Sequence, residues 1–229
     1  MPIERVFNIL NMRLTEQPYR KDPPSDLSTR ARIRDAAIVV FGEEGFGVGV
    51  RAIAKAAGVS PGLVNHHFGS KDGLRAACDE HVRSLIRTAK TEYVQDPSPN
   101  ATLRALTEIE EYAPLIAYLM RTFQAGGALL VTWFEQMATD VEAYLAVGIE
   151  AGTLRSPTDL KATARYLATQ NSGGFFFFLQ LYAAGHDGEL DYRKALREFA
   201  EQMMLPAIEM STHGLFTDST ALDALLAER

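Results

Sequence analysis

Apolar residues recur through most of this chain with the period of a helix. Ile33, Ala37, Val40 and Phe41 stand at i, i+4, i+7 and i+8 within about Thr29 to Glu44, which predicts a helix with one core-facing stripe, closed by Gly42 and Gly45. The segment VRAIAKAAGVSPGLVNHHFGSK then predicts two short helices. The first, about 50–57, stops at Gly58. The second starts after Ser60, whose hydroxyl suits an N-cap, places Pro61 where a missing N–H costs nothing, and ends near Phe68-Gly69. A long helix over about 70–94 carries Leu74, Cys78, Val82 and Leu85 on one face. Asp96-Pro97-Ser98-Pro99 marks a junction. Beyond it the pattern predicts helices at about 99–112, 114–124, 128–151, 157–185 and 189–211, with a short one near 218–227. Pro114, Gly126-Gly127, Gly152 and the capping-box sequence Ser156-Pro157-Thr158-Asp159 separate them. Strand-like alternation bounded by turn dipeptides is absent, and there is no repeat of solenoid period. The fold class read from the pattern is all-α.

Composition narrows the picture. The longest apolar run, Gly173 to Leu179, is broken by Gln180 and is too short to span a bilayer. Residues 1–27 contain Pro2, Pro18, Pro23 and Pro24 and read as a loosely held arm with a short helix at 3–14. Glu4 and Arg5 precede any apolar stretch and no small-residue cleavage site follows, so no signal peptide is expected and the cytoplasm is the expected compartment. Cys78 is the only cysteine, which excludes an internal disulfide and a cysteine-rich zinc site. The net charge of −6 argues against a polyanionic partner until its distribution is read. Residues 28–94 carry a net +3 and residues 95–229 a net −9, so one end is suited to face nucleic acid, unless the clustering is an ordinary solvated surface. Arg13, Arg20, Lys21, Arg30 and Arg32 form a basic arm that would add to such a contact.

Two short helices joined by a glycine-containing turn match a helix-turn-helix. Ala54 is small where the helices cross, Gly58 suits a left-handed turn, and Ile53, Ala57, Val59, Leu63 and Val64 supply an apolar seam. Arg51, Lys55, Asn65, His66 and His67 are left to point outward, where polar groups on the second helix reach base edges in a major groove. Lys71 and the following helix start offer a cation and backbone N–H groups to phosphate. The rival reading is a plain helical hairpin within a bundle. IAKAAGVSPGLVNHHFGSKDGL resembles the N-terminal domain of TetR-type (tetracycline-repressor-like) regulators, through Ile53-Ala54, Ala57-Gly58-Val59-Ser60, Gly62, Val64, Phe68, Ser70-Lys71 and Leu74. The resemblance covers about residues 29–94, and Gly148 to Arg155 with the helix after it is similar to the looser C-terminal half of the family. It implies that Arg51, Ser60, Pro61, Gly62, Asn65 and His66 face DNA and that Lys71 meets the phosphate backbone. The chain departs from the family pattern at Val48-Gly49, where Thr or Ser is frequent, in a loop from Gly45 that is one residue short, and at Asn65 and His67, where aromatics are frequent. Asn65 can hydrogen-bond adenine bidentately, so an operator preference of its own is expected.

The remainder of the chain is expected to sense and to dimerise. The domain reading is an arm at 1–27, a helix-turn-helix domain at 28–75 with a linking helix about 70–94, and a ligand-binding and dimerisation domain at 95–229. Phe175 to Phe178 cover every direction around a helix and so need apolar surroundings on several sides. Gly173-Gly174 permits close approach, and helices 157–185 and 189–211 are expected to form a two-fold interface, as the resemblance also implies. Candidate ligand-binding residues are Phe123, Trp133, Phe134, Met137, Tyr144, Tyr166, Asn171 and Phe175, lining an apolar cavity for an apolar or amphipathic small molecule. Glu108, Glu110, Glu111 and Glu135 either point to a lipophilic cation or form a solvated face. The function read is a ligand-responsive regulator of a palindromic double-stranded operator, with the 70–94 helix as lever; repression, with release by the effector, is what the resemblance implies, and activation is the alternative. Rival readings are an architectural DNA-binding dimer without ligand control and a helical-bundle enzyme. The chain has no Glu-x-x-His pair, HExxH, Walker A or GxSxG sequence, and Cys78 with His81 supplies only two ligands, so no metal, cofactor or catalytic residue is assigned.

Overall fold

The computed structural model describes residues 26–95, 97–98, 108–188 and 190–228, all helix and connecting turns, with no strand among the described residues. The readings made for residues 1–25 and 99–107 lie outside them. In chain order the helices are α1 (Asp26–Glu44), α2 (Val50–Ala57), α3 (Pro61–Phe68), α4 (Lys71–Gln95), α5 (Ala113–Ala125), α6 (Gly127–Glu150), α7 (Leu160–Gly185), α8 (Tyr192–His213) and α9 (Thr220–Ala227). A 3₁₀ turn, Ile109–Tyr112, leads into α5, where a continuous helix over 99–112 was expected. The long helix expected from 157 starts at Leu160. Asp159, and not Ser156, caps it, accepting the Ala162 N–H at 2.9 Å.

Helix α1 forms because its apolar stripe has a place to go: Ile33, Ala37, Val40 and Phe41 are all buried. Arg34, Arg32 and Asp35 stay on the wet side. One face meets α2, and the far end meets α5 so closely that a Cβ on Gly42 would lie 3.0 Å from Ala117 Cβ and 3.1 Å from the Tyr118 nitrogen. Phe41, Phe46 and Tyr118 close an aromatic cluster there, with ring centroids 5.4–6.3 Å apart, and the Arg75 guanidinium lies 3.7 Å from the Phe46 centroid.

The main core is continuous from Ile33 in α1 to Met204 in α8. A smaller cluster joins the end of α4 to α6 and α7 through Val94, Val141, Tyr144 and Ala164. Helix α4, 25 residues long, runs from the small N-terminal helices into the larger bundle and is buried along Leu74, Cys78, Val82, Ala89 and Val94. Burial pushes the Cys78 thiol up to about 12, which makes it a packing residue and not a reactive one.

Candidate functional site

Helices α2 and α3 are short and bury their apolar faces against each other, against α1 and against the start of α4. Ile53, Ala54, Ala57 and Val64 are buried, with Val59 and Leu63 half-buried against them. Gly58 takes the left-handed conformation (φ 64°, ψ 38°) that the turn requires. Ser60 accepts the Leu63 N–H at 3.2 Å and starts α3, with Pro61 at its first position. What this leaves outward is a polar end and face: Arg51, Ser60, Pro61, Gly62, Asn65 and His66 are exposed. His67 departs from the outward group, being half-buried with its ring 6.3 Å from that of Phe68. Lys71 is half-buried at the first turn of α4, where Ser70 caps the helix by accepting the Gly73 N–H at 3.0 Å.

The second feature is a cavity of about 150 Å³ inside the larger bundle. Of the residues expected there, Phe123, Trp133, Met137, Tyr144, Asn171 and Phe175 line it. Phe123 and Trp133 meet edge-on, with centroids 5.5 Å apart. Phe134 and Tyr166 do not line it. Phe134 is half-buried against the smaller cluster of α4, α6 and α7, with the Arg165 guanidinium 5.2 Å from its ring centroid, and Tyr166 is 62% exposed on the outward face of α7. Aromatic residues at helical spacing look alike in sequence, and only the rotation of each helix decides which enter a cavity.

The acids also stand elsewhere. Glu110 pairs with Arg197, Glu135 with Arg165 at 2.6 Å, Glu111 is exposed, and none of these or Glu108 lines the cavity, so the cationic-ligand hint falls. Glu135 is held below the usual carboxylate range by its hydrogen bond from Arg165, as a solvated ion pair would be.

Sequence reasoning missed the remaining walls. Helix α5 gives the cavity Ile116, Leu119, Met120 and Phe123, spaced i, i+3, i+4 and i+7. Its opposite face, Ala117, Tyr118 and Arg121, is fastened to the N-terminal helices. Tyr118 donates to Asp79 of α4 at 2.6 Å, and Arg121 donates to the Gly42 and Glu43 carbonyls at 3.0 and 2.9 Å, satisfying the open C-terminal end of α1. Helix α4 contributes Ile86 and Lys90, and is tied to α6 where Arg83 and Arg87 reach Asp140 at 3.0 and 2.9 Å. Lys90 is 9% exposed, and its Nζ has no hydrogen-bond partner among the described residues; burial pushes its pKa down to about 7. An apolar period with one Lys in it reads as a snorkelling surface residue, which is why the sequence did not single it out.

The surface of the bundle carries an apolar stripe. Phe175 and Phe178 are buried on either side of Phe199, with centroids 4.7 and 5.0 Å from it. Phe177 is 64% and Leu181 57% exposed, one and two turns beyond Gly173-Gly174, and Leu205 and Met210 of α8 are exposed too. Among the described residues no helix is long and apolar enough to cross a membrane, and no cluster of three metal-ligating side chains occurs.

Residues 33–78 match the model of bacterial regulatory proteins of the tetR family, and residues 110–217 match the tetracyclin repressor-like C-terminal domain. The chain is 48% identical to the HTH-type transcriptional regulatory protein RaaS of Mycobacterium tuberculosis, over 89% of this chain and 94% of that one. It is 31% identical over 107 residues to the HTH-type transcriptional regulator BetI of Paraburkholderia phymatum, 45% of this chain and half of that one. Among solved structures, SmeT, the repressor of the Stenotrophomonas maltophilia multidrug efflux pump SmeDEF, superposes with a TM-score of 0.50 at 22% identity, covering 84% of this chain and 98% of that one. That last likeness is one of fold.

Proposed function

This chain belongs to the TetR family of bacterial transcriptional regulators, and from that premise we propose that it is a homodimeric repressor released from a palindromic operator when a small apolar or amphipathic molecule enters the cavity. Its relatives are regulators and not enzymes. The reading unit is 28–75, the sensing and dimerising unit 95–229, and α4 belongs to both. Arg51, Ser60, Pro61, Gly62, Asn65 and His66 meet the groove, and Lys71 meets phosphate. Gly62 supports this. A methyl there would meet nothing nearer than Ser60 Oγ at 3.9 Å, so no described neighbour in the subunit requires glycine, whereas a closely approaching DNA backbone does.

The observation that carries the sensing role is the two-faced α5. One side lines the cavity, and the other holds the last turn of α1 and the Asp79 carboxylate of α4. A ligand that displaces the cavity side moves the same rigid rod that positions the reading unit. In a dimer built on the exposed α7 and α8 stripe, two copies of α3 fit successive major grooves about 34–36 Å apart in only one of the resulting states. A ligand that prefers the other state depopulates it, and coupling of ~1–3 kcal/mol weakens the operator complex roughly 5–150-fold. Selection from random duplexes, followed by anisotropy titration of the winner, tests the proposal. A two-fold symmetric site bound by dimer is expected. Indifference to every duplex at low salt overturns it, and binding that no hydrophobic compound weakens returns the architectural reading.

A further inference from the structure

Within that sensing reading, on which this inference rests, the cavity also says what kind of molecule it takes. Its wall is almost wholly apolar, yet α4 places an amine in it. Lys90 Nζ is buried and makes no hydrogen bond to the described residues, and the indole N–H of Trp133, on the same wall, also lacks an acceptor among them. A buried donor without a partner is costly, and an ammonium more so, so such groups persist where something else supplies the acceptor. Among the described residues no carboxylate lines the cavity to do so. We propose that the effector is an amphipathic carboxylic acid whose carboxylate seats on Lys90 and whose apolar body lies along α5, α7 and α8.

The contact is strong because it forms out of water, where an ion pair with hydrogen bonds gains most. It also falls on the element that matters, since Lys90 lies on the helix that runs to the reading unit. No described neighbour meets the charge from another side. The titratable groups on the same wall are Tyr112 of the 3₁₀ turn and Tyr144 of α6, whose phenol burial pushes up to about 12. The parts of α5, α7 and α8 that line it are uncharged. On α4 and α6, Arg83, Arg87 and Asp140 are engaged with one another.

The test uses the full chain, with the fluorescence of Trp133, its only tryptophan, and thermal shift as readouts. Dodecanoate, methyl dodecanoate and dodecyltrimethylammonium, each below its micellar concentration, are titrated at pH 6.5 and 8.5 into wild type, Lys90→Met and Lys90→Gln. Dodecanoate is expected to bind wild type at least tenfold more tightly than the ester at pH 6.5. That advantage disappears in both variants while ester binding persists. Because Lys90 titrates near 7, carboxylate binding above that pH must take up a proton, so the advantage falls toward pH 8.5 while ester binding stays level. This arm stands even if a variant does not fold. Equal binding of acid and ester, tighter binding of the cation, or a pH-independent advantage overturns the carboxylate assignment and leaves the cavity as a sensor. If none of the three binds, the sensing reading falls with it.

Discussion

Asn65 and Lys71 flank one small unit, and on the proposed reading they touch DNA in different ways. Asn65 is an exposed amide on α3 that reads a base edge, so Asn65→Ala is expected to cost ~1–3 kcal/mol on the selected operator and to relax preference at one base pair per half-site. Lys71 meets phosphate, so Lys71→Ala weakens all sequences alike and lowers the slope of log K against log salt by about 0.9 for each phosphate left without its cation. Titrations of cognate and scrambled duplexes at several salt concentrations separate the two. Both residue types were readable from sequence, because helix ends and solvent-facing periodicity are local. Lys90 was not, because only the neighbours brought by α5 to α8 make its position buried. Its pKa, lowered from 10.5 to about 7, penalises the folded state fully below pH 7, and the penalty fades as pH rises toward 10.5, since across that window only the unfolded chain holds the proton. Lys90→Met is therefore expected to raise the melting temperature most at pH 6–7, by ~2–4 °C for each kcal/mol gained, and least near pH 10.

Among the elements, α5 touches both halves, lining the cavity on one face and bonding α1 and α4 on the other, and on the proposed reading it couples them. Arg121 holds the carbonyl end of α1, where a cation also suits the helix dipole. Arg121→Ala is expected to leave operator affinity within about threefold of wild type while shrinking the ligand-induced loss, as measured by anisotropy with and without ligand. Tyr118→Phe removes the donor to Asp79, a carboxyl that burial pushes up and this bond pulls down. The substitution is expected to cost about 1–3 kcal/mol in denaturant unfolding at pH 7. The cost shrinks in acid, where the protonated carboxyl no longer needs the donor. The lever assigned from sequence was α4 alone. Its apolar stripe is visible in the chain, but the second face of α5 acquires its meaning only when α1 and α4 are packed on it.

For the whole molecule, the exposed stripe of Phe177 and Leu181 beside two glycines is more than a monomer should show to water. On the proposed dimeric reading, Leu181→Glu is expected to shift the particle toward monomer in sedimentation and to weaken operator binding by at least tenfold, because one recognition helix alone reads only half a palindrome. Helicity should change little, since Leu181 is already half in solvent.

Local order was written along the chain. The left-handed Gly58, the Ser60 cap with Pro61 behind it, the stripe of α1 and the seam between α2 and α3 depend on residues a few positions apart, and short-range sterics and hydrogen bonding determine them. Of the eight residues expected to line a cavity, six do, namely Asn171 and five large apolar groups found by helical periodicity. Tertiary structure alone decided the helix rotations that turn Phe134 and Tyr166 away, the pairing of the acids with distant arginines, and the burial of Lys90. Each depends on which helices pack together, and periodicity gives the face of a helix without naming its neighbour.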